Sequence, residues 1–364
     1  MADGIARRIG FLREADRLKS VARANVLMDL SRPENSAEHS WHVALWALVF
    51  GASDRAVAML LIHDLVEIDV GDHPIHLDHD AATLARQEAA AARRIFGLLP
   101  GGGALLSLWQ EFEAAGSADA VQAKRMDHVQ PLFQVLMASD PLPDHVRIVR
   151  DNLSTGRAAR LHREWAPAVR AAETLLAGGV PQGDLGARLR FLAKADRLKS
   201  VQRASTLIDG SRRENSAEHS WHLALSALAF ADRAGPGVDI GRVIRMLLIH
   251  DLVEIDMGDV SQYLAGGTAQ GSAGVCAARG VAAERIFGLL PPAQGAALLA
   301  LWQEVESGRT PDADFARALE RCQPAIRTLP PGAPAIGDWL DRRAGAVFSD
   351  GASQSDGAGE RSRT

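Results

Sequence analysis

Histidines and carboxylates recur at matched spacing in the two halves of this chain. His39 stands alone, His63 and Asp64 are adjacent, and Asp127 lies further on; His219 and the pair His250-Asp251 repeat the first three. Two imidazoles and two carboxylates make the mixed nitrogen and oxygen donor set that suits a divalent ion such as Mn²⁺, Co²⁺, Fe²⁺ or Zn²⁺, with Mg²⁺ a further candidate. Four protein ligands leave room for water on a five- or six-coordinate ion. Glu67 follows His63 by four residues and Asp64 by three, which on a helix places it on the same face. An acid there that does not ligate can move the proton of a water polarised by the ion. Asp72, just after the turn glycine Gly71, is placed to bond the same water or a substrate hydroxyl. Glu254 and Asp259 repeat these two acids in the second half. Asp69 and Asp256 fall on another face and are expected in solvent.

Helices must carry these side chains. Aromatic residues are only 5% of the chain, with one tyrosine, while Ala and Leu abound, a composition that leans to helix over strand. Trp41, Ala44, Leu45, Leu48 and Val49 recur at three- and four-residue spacing, predicting a helix over 38–50 with one buried face. Ser36 is its expected N-cap, without a full capping box. Further helices are predicted over 57–68, closed by Gly71, and over 81–96. Strand signals are nearly absent, so the expected class is all-α.

The chain of 364 residues repeats itself. Residues 11–50 and 191–230 are identical at 29 of 40 positions, and MLLIHDLVEIDVGD at 59–72 recurs at 246–259 with one difference. RIFGLLP and LWQE follow in both halves, at an offset that grows through short insertions. These are two whole domains, expected at 1–175 and 188–345, joined by a Gly- and Pro-rich linker at 176–187. The polar tail 346–364 is expected to be disordered. The register that aligns Trp109 with Trp302 and Gln130-Pro131 with Gln323-Pro324 places Glu320 opposite Asp127. Glutamate can still ligate, but its extra methylene moves the carboxylate by roughly 1 Å.

Bulk properties exclude several classes. A net charge of −5 and a pI near 6.2 offer no global basic surface for nucleic acid or an anionic membrane. Two cysteines, Cys276 and Cys322, exclude a disulfide framework and fit a reducing compartment. No apolar run reaches the roughly 20 residues of a membrane helix, and the N-terminus lacks the apolar core of a signal peptide. A cytoplasmic protein is expected. His73, His76 and His79 cluster in a loop that the second half replaces with GDVSQYLAGG, and are read as a polar loop.

The spaced His, His-Asp and Asp pattern resembles the HD-domain metal-dependent phosphohydrolase superfamily. RENSAEHS, followed by HDLVEIxxGD, resembles its 5′-deoxynucleotidase branch, which removes phosphate from deoxynucleoside monophosphates. The resemblance spans about 10–130 and again about 190–325. It implies that His39, His63, Asp64 and Asp127 hold the metal, with His219, His250, Asp251 and Glu320 as the second set. It implies Glu67 and Glu254 as catalytic acids or bases, Asp72 and Asp259 as helpers, and Arg23 and Arg203 as phosphate contacts, suited by their planar guanidinium fork. Such proteins are commonly homodimers, so the fused pair is expected to form an internal pseudo-dimer. Ala24 and Ala204 stand where bacterial relatives often carry Trp, so strict deoxyribose selectivity is not carried over. The expected activity is release of phosphate from (deoxy)nucleoside 5′-monophosphates. The alternatives are another phosphoester, such as a cyclic or hyperphosphorylated nucleotide, or a second domain that binds nucleotide or dimerises without turnover.

Overall fold

The computed structural model describes residues 2–73, 80–258 and 273–328. Asp259, His76, His79 and the tail from 346 onward lie outside the described residues. The first half runs through α1 (Ala2–Ala15), the ribbon β1 (Ala22–Val26) and β2 (Pro33–Asn35), α2 (Ser36–Val49), α3 (Asp54–Ile62) and the short α4 (Glu67–Val70). Helices α5 (Ala81–Gly97), α6 (Gly103–Ala114), α7 (Ala118–Leu136), α8 (Pro143–Ser154), α9 (Leu161–Glu164) and α10 (Ala166–Leu176) complete it. The second half repeats the order: α11 (Gly183–Asp196), β3 (Gln202–Thr206), β4 (Arg213–Asn215), α12 (Ser216–Ala229), α13 (Ile240–Ile249) and α14 (Glu254–Met257). It continues through α15 (Ala273–Phe287), α16 (Pro292–Ser307) and α17 (Pro311–Thr328). The class is all-α. The strands the composition did not predict are two small antiparallel ribbons, pairing Ala22 with Asn35 and Gln202 with Asn215.

Helix α2 differs from its prediction in two ways. Its N-cap is Asn35, whose side chain accepts from Glu38 N while the Glu38 carboxylate accepts from Asn35 N, a complete capping box. And it is buried almost all round, from Ser36 through Ala47 and at Val49, where the spacing predicted one apolar face. The reason is the duplication: α12 of the other half packs against it, so its polar residues face the site and the partner half in place of water. The capping boxes interlock. Asn35 Nδ2 donates to Glu218 Oε2 at 2.9 Å, and Asn215 Nδ2 donates to Glu38 Oε1 at 2.5 Å. Arg32 and Arg212 close each end, each bonding its own capping glutamate and a backbone carbonyl of the other half, Lys199 O and Lys19 O. Burial, and then the charge of Glu218, push Glu38 up to about 7 against the pull of Arg32.

The tryptophans bind the halves further. Trp41 Nε1 donates to Leu248 O at 3.1 Å, and Trp221 Nε1 donates to Leu61 O at 2.9 Å. Both indoles are fully buried. Each bond lands on the helix that delivers the opposite half's His-Asp pair, so packing between halves and placement of the site are one structural problem.

The predicted helix over 57–68 is broken. After α3 the chain tightens into a 3₁₀ turn at His63–Val66 before α4, and Gly71 then takes φ 78° to stop it. The tight turn swings His63 and Asp64 out of the helical register and into the site.

Candidate metal centre

Three elements of the first half converge on one point. His39 comes from the first turn of α2, His63 and Asp64 from the 3₁₀ turn, and Asp127 from the middle of α7. His39 Nε2 lies 3.1 Å from Asp127 Oδ1 and 4.0 Å from Asp64 Oδ2; His63 Nε2 lies 3.1 Å from Asp64 Oδ1 and 3.6 Å from Asp127 Oδ1. His63 Nδ1 sits 2.8 Å from Leu60 O, and a carbonyl only accepts, so Nδ1 carries the proton and Nε2 presents its lone pair. That lone pair is buried and, among the described residues, has no hydrogen-bond partner. An orphaned imidazole nitrogen costs free energy unless something electropositive meets it. A divalent cation between His39, His63, Asp64 and Asp127 meets it, and the donor set fits. Trp109 Nε1 donates to His63 O at 3.2 Å and holds the backbone of that turn.

Arg23, on β1, sits among the acids. Its Nη1 lies 2.8 Å from Asp64 Oδ2, 3.3 Å from Glu67 Oε1 and 3.6 Å from Asp72 Oδ1. Ser36 Oγ donates to Glu67 Oε2, and Ala24 N donates to Asp72 Oδ2 at 3.3 Å. The structure thus gathers every first-half candidate around a single centre. Burial, and then the negative charge of Asp64, hold the Glu67 carboxyl well above its ordinary range despite Arg23. Asp69 is not simply in solvent, since Arg94 pairs with it at 2.6 Å. His42, which shares α2 with His39, is turned away and bonds Leu192 O of the other half.

The second half repeats most of this. His250 Nδ1 donates to Leu247 O at 2.8 Å, and its Nε2 is buried, 3.2 Å from Asp251 Oδ1 and without a hydrogen bond among the described residues. Arg203 donates to Asp251 Oδ2 at 3.0 Å and lies 3.7 Å from Glu254 Oε2, while Ser216 Oγ donates to Glu254 at 2.5 Å. Glu320 is the departure. It is exposed, and among the described residues it forms no ion pair with His219 or His250; it lines a cavity that His219 also borders. The aspartate at this position in the first half is drawn in by both histidines.

That difference changes the histidines. Burial and Arg23 disfavour charge on His39, but its bond to Asp127 and the nearby carboxylate of Glu34 outweigh them and raise its pKa to about 9. Burial, followed by Arg203, lowers His219, and Glu214 does not offset it. A metal ligand must be the neutral imidazole, so an ion entering the first site displaces a proton from His39 below pH of about 9. Metal affinity there is expected to rise by about tenfold per pH unit between roughly pH 6.5 and 8.5. Burial and then Arg203 disfavour the charged form of His219, so the second site should show a shallower slope. Co²⁺ titrations across that range check this, and equal slopes at both sites would refute it.

Sequence reasoning missed several participants. Glu34 and Glu214 stand at the backs of His39 and His219, at 3.6 and 3.4 Å from Nδ1. Ser36 and Ser216 hold the catalytic-acid candidates. The signal was present, since both lie inside the ENSAEHS block that the two halves share without a change.

An all-α scaffold that converges His, His-Asp and Asp on an orphaned nitrogen defines a domain built around a metal centre. The HD-domain model matches residues 15–170 and 195–331, and the chain belongs to the HD-domain family, with two such domains in tandem. It is 33% identical over 131 residues to the human 5′-deoxynucleotidase HDDC2, and 32% to its bovine counterpart; each match covers 34% of this chain. The chain spans 64% of the length of those two curated relatives. The crystal structure of a predicted metal-dependent phosphohydrolase from Magnetospirillum magnetotacticum MS-1 is 43% identical, covering 46% of this chain and 88% of that one, with a TM-score of 0.39. Among the described residues, no helix is long and apolar enough to cross a membrane.

Proposed function

We propose that the chain is a metal-dependent phosphohydrolase that releases phosphate from (deoxy)nucleoside 5′-monophosphates, with the first site carrying turnover. The observation that carries this reading is the meeting of His39, His63, Asp64 and Asp127 with Arg23, Glu67 and Asp72 beside a cavity of about 260 Å³. The relatives named as 5′-deoxynucleotidases support it. A bound divalent ion supplies Lewis acidity toward phosphoryl oxygens and makes water more acidic. Arg23 has N–H groups to spare for a phosphate oxygen as charge builds there. Glu67, gripped by Ser36 and Arg23, takes or returns the proton at its carboxylate. Asp72, tied to Ala24 N, faces the cavity where a sugar hydroxyl would lie. Leu132, Val135, Ile148 and Val149 give the cavity an apolar wall for a base, with Asn25 and Asn152 as polar contacts.

The halves, taken as 1–175 and 188–345 with 176–187 between them, act as an internal pseudo-dimer. The exposed position of Glu320 favours an asymmetric pair, in which the second site holds metal more weakly and turns over slowly or not at all. A phosphate-release screen over nucleoside and deoxynucleoside monophosphates with Mn²⁺, Co²⁺ and Mg²⁺ tests the reading. Release from these monophosphates, abolished by His39→Ala and little changed by His219→Ala, is the expected result. A protein that binds metal but frees phosphate from none of them would overturn it.

A further inference from the structure

The lysines of the two ADRLKS repeats cross between halves. Lys19 is fully buried, pairs with Asp16 of its own half, and reaches Glu214 Oε1 of the second at 2.7 Å. Lys199 is equally buried, pairs with Asp196, and reaches Glu34 Oε1 of the first half at 2.6 Å. Lys199 Nζ also lies 3.1 Å from Gln134 Oε1 and 3.0 Å from His42 Nδ1, so its three protons sit inside a cage of acceptors drawn from both halves. Glu34, His42 and Asp196 would otherwise resemble a third cation site; the ammonium of Lys199 is the cation that fills it.

The far oxygen of Glu34 faces His39 Nδ1 at 3.6 Å, and both atoms are buried without a hydrogen-bond partner among the described residues. An ionised carboxylate behind an imidazole fixes the proton on Nδ1 and leaves Nε2 free to ligate, and such partners tune metal affinity by about 10- to 100-fold. A buried carboxylate is held in place by a paired, hydrogen-bonded cation. For Glu34, that cation comes from the other half. In the second half Lys19 reaches Glu214, which faces His219 Nδ1, but Arg327 of that same half also pairs with Glu214, so the charge there comes from both halves.

We infer that Lys199 is a positioning residue for the first site, so that the second half completes the metal site of the first, while at the second site Lys19 shares that role with Arg327. This rests on reading the His39 set as metal-holding. It also gives the second half a role in the first site whether or not its own site turns over.

The test is equilibrium Co²⁺ binding, read by the visible absorption of the bound ion in the full chain carrying His219→Ala, so that the first site reports. Lys199→Met is expected to weaken Co²⁺ about 10-fold or more and to alter the band shape, with far-UV circular dichroism unchanged. Glu34→Gln should produce a similar loss, and Lys199→Met added to it should cost nothing further. Should Lys199→Met alone fail to fold, the Glu34→Gln/Lys199→Met chain, freed of its unpaired Glu34 charge, still carries the comparison. Affinity equal to that of Glu34→Gln supports the inference. Unchanged Co²⁺ affinity in Lys199→Met, or a further loss in the double variant, overturns it. A chain that passes this cycle yet hydrolyses no nucleotide overturns the phosphohydrolase reading alone.

Discussion

Replacing Glu67 by glutamine is expected to slow phosphate release by about 10²–10⁴-fold while leaving metal content unchanged. The substitution keeps the shape of the side chain and its contact with Ser36, but removes the group that exchanges a proton. Glu67 is not one of the residues converging on the orphaned His63 nitrogen, so the ion should remain. The same change at Glu254 should have a much smaller effect, because among the described residues no carboxylate bonds Nε2 of His219 as Asp127 bonds that of His39. Steady-state phosphate release, with metal content measured on the same samples, decides the matter. Loss of metal in Glu67→Gln would make the residue a ligand, and unchanged turnover would remove it from the chemistry.

The largest stability effect is expected at Trp41. Its indole is fully buried between the halves and donates to Leu248 O. Trp41→Ala removes that packing, leaves a cavity and orphans a buried carbonyl, and should cost about 3–5 kcal/mol. Trp41→Phe retains most of the apolar contact and loses the bond, so its cost should be about 1–3 kcal/mol. Because Leu248 lies on the helix that delivers His250, the alanine variant should also weaken metal binding at the second site more than at the first. Denaturant midpoints and Co²⁺ titration together measure this. A Trp41→Ala chain as stable as the parent would show that the halves do not share a core.

The candidate residues were legible because they are chemically unusual and occur twice. A histidine in a helix is ordinarily uninformative, but His39 and His63-Asp64 recur at matched spacing with Glu67 behind them. Asp127 was reachable through the same pattern, and the substitution of Glu320 was visible once the two copies were aligned. Local structure was read less well where tertiary contacts override spacing. Asn35 caps α2 one residue before the expected Ser36, although the Asn-x-x-Glu signature of a capping box was there to be read. The break at 63–66 carries no Gly or Pro to announce it. It is imposed where the chain leaves α3 to present two candidate ligands at once. Arg23, reached only through family resemblance, sits on a strand that composition did not suggest.

Residue types and their repetition were enough to set the helical class, the duplication and the donor set, since each depends on neighbours within a few turns or on a comparison of two copies. Which polar groups meet was decided by how the halves pack. Lys199 and Glu34 are 165 residues apart, and no periodicity links them. Their contact exists because α2 and α12 lie against each other in a shared core, where a buried carboxylate must find its charge partner and the nearest one belongs to the other half.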